Sequence, residues 1–273
     1  MPLTLHWKGS TTLPVEAEGL RPEDLSPLSA AEVAGRPVPL GKTYADLGDL
    51  FRVEGNGADG HLVFEGDLRH VRKIGAGMTS GRLTIRGDVG PHLGAGMLGG
   101  SIDLLGSAGP WAGAEMSGGR LSIKGSAGDD LGSAYPGSRR GMREGMILVE
   151  GSIGQDAGVA MRRGLIAVNG PTGDGLGRGM IAGSIFAFGL VGRYPGAGMK
   201  RGTIALFADD KDAPILPTFR LGVRYRPPFA TLYLRALTDR GFPVPQTAFD
   251  GSFDRYNGDV LNAGQGEILR WTR

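Results

Sequence analysis

Residues 81–99 read GRLTIRGDVGPHLGAGMLG, and variants of this 19-residue stretch recur along the chain. Seven methionines follow one another in steps of 19 residues, with one step of 26. They are Met78, Met97, Met116, Met142, Met161, Met180 and Met199. A glycine stands three residues after each of them, so several columns keep one register. The period therefore indicates a repeat architecture in which each unit stacks on the next.

Within each unit a short alternating run precedes a second glycine, as in RLTIRG at 82–87 and RLSIKG at 120–125. Alternation of apolar and polar residues indicates a strand with one buried face. A unit of this length is too short for a βαβ unit of about 30 residues. The pattern predicts an all-β protein, a right-handed parallel β-helix of about seven 19-residue coils with capping segments at both ends.

The glycines have a structural explanation. The motif GAGM resembles a phosphate-binding loop, but no Lys-Ser/Thr follows any copy. We interpret it as a corner followed by an inward methionine, a flexible side chain suited to filling gaps between coils. The glycines of the second series are expected to mark corners where φ is positive or where two backbones approach closely, and a positive φ is expected at Gly170 and Gly189. The 26-residue step predicts seven inserted residues near SAYPGSR at 133–139.

The repeat divides the chain into three predicted parts: an N-terminal cap over 1–46, the β-helix over 47–208 and a C-terminal extension over 209–273. The cap contains a predicted strand, LTLHW, and turns with a short helix. The extension contains a proline-rich crossing and a predicted helix at 231–241 that ends before Gly241. Phe186 and Phe188 occupy outward positions, so we expect the extension or a partner to cover them.

Composition limits the functional classes. The 273 residues include no cysteine, which excludes disulfides and thiolate metal sites, and a net charge of +2 is too small to suggest nucleic-acid binding. The sequence shows neither a signal peptide nor an apolar run long enough to span a membrane, so a cytoplasmic location is expected. No histidine pair has metal-ligand spacing, and no catalytic motif is present, so neither catalytic nor metal-binding residues are predicted.

One charge pattern stands out. Residues 139–202 carry nine Lys and Arg residues against four acids. Five of the cations stand one or two residues after a repeat methionine, and Arg143 is the first of them. The other four predict a strip along one edge of the stack, with one uncharged coil in the middle: Arg162, Arg163, Lys200 and Arg201. These four residues are hereafter the basic strip. It fits either a solvated edge that aids solubility or a surface that binds anions or another subunit.

The chain also resembles a known family. The G-x-x-G-x-x-x-G pattern, GDVGPHLG at 87–94, is similar to the β-helix of the glutamate synthase C-terminal domain and of the C subunit of formylmethanofuran dehydrogenase. PVEAEGLRPEDL at 14–25 and PVPLGKTYADLGDLFRVEG at 37–55 resemble the start of the C-subunit family. RYNGDVLNAGQGEIL at 255–269 is similar to the C subunit of the bacterial formyltransferase/hydrolase complex, so the resemblance extends over essentially the whole chain.

The resemblance implies a function in methylotrophy, where formaldehyde is oxidised to formate. In this family's complex a formyl group passes from formyl-tetrahydromethanopterin to a methanofuran-type carrier and is then hydrolysed. Transfer and hydrolysis belong to other subunits, of the A, B and D types, and the C subunit carries no catalytic cofactor. The carrier has a glutamate-rich tail, so the resemblance also implies that the basic strip binds this polyglutamate tail or docks a partner subunit.

Three alternatives remain open at this point. The chain fits the C subunit of an archaeal-type formylmethanofuran dehydrogenase, a stand-alone structural β-helix or a carbohydrate-active β-helix. A carbohydrate-active enzyme would need acidic residues clustered on neighbouring strands. Asp103, however, falls between Thr84 and Ser122 in its column. The resemblance at both ends of the chain therefore favours the non-catalytic subunit.

Overall fold

The computed structural model describes residues 1–9 and 11–273, and these residues form mostly β-strands with a few short helices. The main sheet contains 13 strands of mixed direction, and a second sheet contains four. The prediction of an all-β protein is therefore confirmed. No helix among the described residues has both the length and the hydrophobicity to cross a bilayer.

The N-terminal segment contributes strands to both sheets. Its elements are β1 (Leu3–Trp7), β2 (Val15–Glu16), α1 (Pro22–Leu25), α2 (Ala30–Ala34), β3 (Pro37–Leu40), β4 (Thr43–Asp46), α3 (Leu47–Leu50) and β5 (Phe51–Glu54). Alternation in β1 buries Leu3 and Leu5, as the sequence predicts for LTLHW. Helix α2 begins at a capping box formed by Ser29 and Glu32. Strand β1 pairs antiparallel with β5, and this pairing extends the main sheet.

The repeats form most of the main sheet. Their strands are β6 (His61–Glu65), β8 (Arg82–Arg86), β9 (Ser101–Leu104), β10 (Ser117–Ile123), β11 (Glu144–Val149), β12 (Leu165–Val168), β13 (Ser184–Ala187) and β14 (Arg201–Leu206). We call these eight strands the parallel stack. The short β7 (Val71–Arg72) belongs to the second sheet. Each strand of the stack pairs in parallel with the next, so Leu83 lies opposite Ile102 and Ile102 opposite Leu121.

Consecutive repeat units also contact each other away from the parallel stack. A second ladder of parallel bridges links Leu68, Val89, Ala108, Ala127, Ile153, Thr172 and Val191. At the glycine-rich turns, the Gly96 N–H donates to the Ala114 carbonyl at 2.7 Å. The backbone of each unit is therefore satisfied by its neighbours at several points around the unit.

The interior agrees with the sequence pattern. All seven repeat methionines are fully buried, and so are the apolar strand residues Leu83, Ile102, Leu121 and Ile147. The prediction that the methionines point inward is confirmed. Because one unit alone cannot bury such a face, the stability of the stack depends on contacts between units.

Of the two reasons expected for these corner glycines, a positive φ is wrong at Gly170 and Gly189, and a close approach of two backbones is confirmed. Neither has a positive φ; the glycine three residues after each methionine does, as at Gly183 with φ of 100°. A Cβ on Gly189 would instead lie 2.4 Å from the carbonyl carbon of Gly170, and one on Gly170 would lie 2.6 Å from that of Gly151. These glycines are required because the backbones of adjacent units approach closely.

The insertion falls where the 26-residue step predicts it. The N–H groups of Ala134 and Gly141 donate to the successive carbonyls of Val159 and Ala160, at 3.1 and 3.0 Å. The residues between Ala134 and Gly141 therefore loop out of the repeat. Tyr135 in this loop stacks on Trp111, with ring centroids 4.9 Å apart.

The C-terminal segment is richer in strands than the sequence suggests. It contains β15 (Arg220–Tyr225), α4 (Pro228–Thr238), β16 (Ser252–Gly258), β17 (Gln265–Thr272) and two 3₁₀ turns, Gln246–Phe249 and Val260–Asn262. Strand β17 pairs in parallel with β14, and β16 and β15 add antiparallel strands. Helix α4 begins three residues before the predicted start and ends at Thr238, and Gly241 follows its end with φ of 75°.

This segment covers the two outward phenylalanines. Phe186 and Phe188 are buried, and their rings lie 5.4 Å from Tyr233 and 5.8 Å from Phe242. The expected cover is therefore supplied by the chain itself. Residues of α4, β16 and β17 form this second apolar cluster together with the outward face of the later stack strands.

Candidate binding surface

All four residues of the basic strip line one groove of about 420 Å³. Ile181 and Ala182 lie between the two basic pairs, as expected for one uncharged unit in the middle of the strip. The C-terminal segment contributes Ala263 and Gln265 to the same groove. The sequence predicts the cations of this groove; the contribution of the C-terminal residues depends on the tertiary fold.

The repeat backbone positions this column. Met161, Met180 and Met199 are fully buried, so the residue after each of them is directed to the outer surface. The backbone N–H of Arg162 donates to the carbonyl of Met142 at 2.8 Å, and Lys200 donates to Met180 at 2.7 Å. Because such bonds hold neighbouring units about 4.8 Å apart, the backbone positions that carry the strip form a regular ladder.

The cations of the strip are not neutralised by the chain. All four are exposed, and none forms an ion pair with a residue in 1–9 or 11–273. The Arg201 Nε donates to the neutral Gln265 Oε1 at 2.7 Å, and this contact fixes the guanidinium without compensating its charge. The groove therefore carries a net positive potential that an anionic group from outside can satisfy.

A second groove of about 350 Å³ continues from the first. The two grooves share Arg162 and Arg163, and the second adds Arg140, Arg143 and a single acid, Glu144. Arg143 follows a repeat methionine, so its position was predictable. Arg140 comes from the inserted loop, and only the structure brings it to this surface.

Cations elsewhere on the same repeat units are paired. Arg178 Nε lies 2.8 Å from Asp156 Oδ1, and Arg193 Nη2 lies 2.8 Å from Asp174 Oδ2. The hydrogen bond from Arg193 lowers the pKa of the Asp174 carboxyl below its ordinary value. These repeat units therefore pair some of their cations within the chain, whereas the four cations of the strip have no acidic partner among residues 1–9 and 11–273.

A further cavity of about 440 Å³ lies between the N-terminal segment and the inserted loop. Its walls include Arg21, Lys73, Glu115 and Tyr135. Lys73 Nζ lies 2.8 Å from Glu18 Oε2, so charges in this cavity are at least partly paired within the chain. The sequence did not predict it, because its walls come from segments far apart along the chain.

The histidines do not come together. Among the described residues, no group of three or more His, Asp or Glu side chains is placed to hold a metal ion. His92 Nδ1 lies 2.8 Å from the Tyr135 hydroxyl, and burial lowers the pKa of His92. His6 lies beside Glu54 and Glu65 at 3.2 and 3.0 Å.

Comparison with known proteins agrees with the resemblance to the C-subunit family. No family model matches the chain. It is 31% identical over 92 residues to the C subunit of the tungsten-containing formylmethanofuran dehydrogenase 2 of Methanococcus maripaludis. It is 35% identical over 90 residues to the C subunit of the formyltransferase/hydrolase complex Fhc of Methylorubrum extorquens. Each of these two alignments covers 33% of this chain and 34% of the relative.

Another relative is matched over a smaller share of its length. The chain is 38% identical over 87 residues to the C subunit of the molybdenum-containing formylmethanofuran dehydrogenase 1 of Methanothermobacter thermautotrophicus. This alignment covers 32% of this chain and 22% of the relative. The chain therefore aligns with about a third or less of the length of these curated relatives.

One solved structure is similar over nearly the whole chain. It is a chain in the crystal structure of the formyltransferase/hydrolase complex from Methylorubrum extorquens in complex with methylofuran. The TM-score is 0.88 at 32% identity, and the alignment covers 99% of this chain and 100% of the other. Both terminal segments and all the repeats fall within this similarity.

Proposed function

Since this chain belongs to the family of C subunits found in formylmethanofuran dehydrogenases and formyltransferase/hydrolase complexes, we propose that it is a structural, non-catalytic subunit of a cytoplasmic formyltransferase/hydrolase complex. The observation that carries the proposal is the similarity over 99% of the chain, at a TM-score of 0.88, to a chain of such a complex. A rigid stack with covered ends suits a subunit against which other chains dock.

In this proposal the complex converts formyl-tetrahydromethanopterin to formate by way of formyl-methanofuran. A-, B- and D-type partners carry out transfer and hydrolysis. The similar complex contains methylofuran, and we assign a methanofuran-type carrier to the complex rather than to a catalytic site on this chain. The archaeal-type dehydrogenase subunit remains the second candidate, favoured by the alignments to its C subunits.

We also propose that the repeats wind as a right-handed parallel β-helix of about seven 19-residue coils. The support is a parallel register in which each strand of the stack pairs with its counterpart one repeat later. Parallel crossovers are right-handed in about 98% of cases. Residues 1–46 would cap one end, 47–208 would form the β-helix, and 209–273 would cover its side and other end.

The basic strip is the proposed binding surface for acidic groups from outside the chain. Its four exposed cations bind carboxylates that come from outside the chain, either from the polyglutamate tail of the carrier or from a partner subunit. Single exposed ion pairs contribute about 0.2–1 kcal/mol each. Several pairs acting together are therefore needed, and their contribution decreases as salt screens them.

Co-expression with the A-, B- and D-type chains tests this function. We expect the full-length chain to co-purify in one assembly with formyltransferase and hydrolase activity. The purified chain alone should show neither activity. Turnover by the isolated chain would contradict the non-catalytic role, and a chain that stays separate from all three partners would contradict membership of the complex.

A further inference from the structure

We propose that the groove of the basic strip binds an extended segment of a partner subunit in which an apolar residue lies between acidic residues. The inference rests on the proposed function, because it assumes that the chain works inside a complex. It goes further by assigning the occupant of the groove and the order of its side chains. The evidence is the alternation of charged and apolar surface along the groove.

The charges of the groove come in two separated pairs. Arg162 and Arg163 belong to one repeat unit, and Lys200 and Arg201 belong to the unit two steps further along. With units about 4.8 Å apart, the two pairs are about 10 Å apart. An extended chain rises about 3.3 Å per residue and alternate side chains share a face, so acidic residues four positions apart, about 13 Å, reach both pairs with the residue midway between them on the same face.

The surface between the pairs is apolar. Ile181 and Ala182 are half-buried and line the groove at its middle unit. Ala263 continues this apolar surface onto the C-terminal segment. Leu261, two residues before Ala263 in the sequence, is 76% exposed. Such a patch rimmed by charge is typical of a protein interface.

This arrangement discriminates between two kinds of anionic chain. A polyglutamate chain would place a carboxylate over Ile181, where it would lose water without gaining a cation. An apolar residue at that point would bury surface against Ile181 and Ala182, while its acidic neighbours reach the two pairs. The groove therefore fits an acidic peptide with a central apolar residue better than an acidic homopolymer.

Fluorescently labelled pentapeptides, bound to the full-length chain at low salt, test the inference. The probes are Glu-Glu-Leu-Glu-Glu and Glu-Glu-Glu-Glu-Glu. We expect the leucine peptide to bind about fivefold more tightly, which is the size of effect that partial burial of a leucine produces. Both peptides should bind more weakly as salt is raised, because both depend on the same cations.

Two variants locate the effect. Ile181→Ser should remove the preference for the leucine peptide, because it removes the apolar contact of the leucine and relieves the desolvation of the carboxylate that the all-glutamate peptide places there. Leu98→Ser is the matched control, since Leu98 occupies the same column in an earlier repeat and is 56% exposed. It should leave both affinities unchanged. Arg162→Glu combined with Arg163→Glu should weaken both peptides.

Equal or tighter binding of the all-glutamate peptide would overturn the inference, and so would an undiminished leucine preference in Ile181→Ser. Failure of both peptides to bind would also overturn it. Circular dichroism melting of each variant verifies that the stack is intact. None of these outcomes decides whether the chain joins a complex, because the co-expression experiment tests that point separately.

Discussion

Two edges of the same repeat units differ in whether their cations form ion pairs within the chain. At one edge, Arg178 and Arg193 are each paired with an aspartate at 2.8 Å, whereas at the other edge the four cations of the basic strip have no acid partner among the described residues. The repeats can thus neutralise their own charges when an acid stands in the neighbouring unit. Where that acid is missing, the complementary charge must come from solvent ions or from another molecule.

The contacts between repeat units stabilise the fold, whereas the cations of the basic strip are available for binding. Contacts between repeat units are tight, buried and internally satisfied, so changes there should affect stability. The cations of the basic strip have no acidic partner among the described residues 1–9 and 11–273, so changes there should affect binding and leave stability almost unaltered. Three predictions test this separation, in decreasing order of their expected effect on stability.

The largest effect on stability should come from a close approach between units. A Cβ on Gly189 would lie 2.4 Å from backbone atoms of Gly170. A Cβ on Gly179 would have no neighbouring atom within 4 Å, although Gly179 has a φ of 64°. Gly189→Ala should reduce the free energy of unfolding by about 3 kcal/mol through overpacking. Gly179→Ala should cost only about 1 kcal/mol, from strain at positive φ.

Chemical denaturation measures the free energy of unfolding of both variants. Equal losses of unfolding free energy would show that spacing between backbones does not set the requirement for glycine at Gly189. Close contacts between the backbones of neighbouring units would then not control the stability of the repeats.

A smaller effect is expected from an internally paired charge in the C-terminal segment. Asp254 is 5% exposed and accepts hydrogen bonds from Arg224 Nε at 2.7 Å and Arg270 Nη2 at 3.0 Å. Asp254→Asn should reduce the free energy of unfolding by about 2 kcal/mol at neutral pH. Arg224→Lys serves as a milder control that keeps the charge.

The loss should also depend on pH. The hydrogen bond from Arg224 is the main cause that lowers the pKa of Asp254, and that from Arg270 adds to it. A carboxyl with a depressed folded-state pKa stabilises the fold above its unfolded pKa of about 3.9, and this contribution disappears as pH falls through the folded value. The difference between wild type and Asp254→Asn should therefore shrink below about pH 4. A constant difference would contradict the pairing.

Much of the repeat was predictable from sequence because one period fixes many contacts at once. The buried methionines, the insertion and the column that holds Arg162 and Lys200 all follow from residues that keep one register. The same local reasoning misjudged Gly189. A glycine column marks a special position, but sequence alone does not distinguish a positive φ from a close approach of two backbones.

The less predictable features depend on contacts between distant segments. Strands β15 to β17 lack a repeat and form where the last unit of the stack offers β14 as a partner. Gln265 reaches the groove only because β17 pairs there, and Arg140 reaches the neighbouring groove through the inserted loop. Neither position follows from the spacing of residues within a unit.

Charge reversal at the two edges tests the central claim most directly. One variant combines Arg162→Glu, Arg163→Glu, Lys200→Glu and Arg201→Glu, and the control combines Arg178→Glu with Arg193→Glu. Affinity for the partner chains and melting temperature are measured for both variants at about 0.05 and 0.5 M salt, where screening differs strongly.

The account predicts that reversal of the basic strip leaves the melting temperature almost unchanged and weakens assembly by about 2 kcal/mol or more at low salt. The control should assemble normally and lose about 1 kcal/mol of stability or less, because its ion pairs are exposed. Normal assembly of the strip variant with unchanged salt dependence would contradict the claim that these cations serve a partner outside the chain.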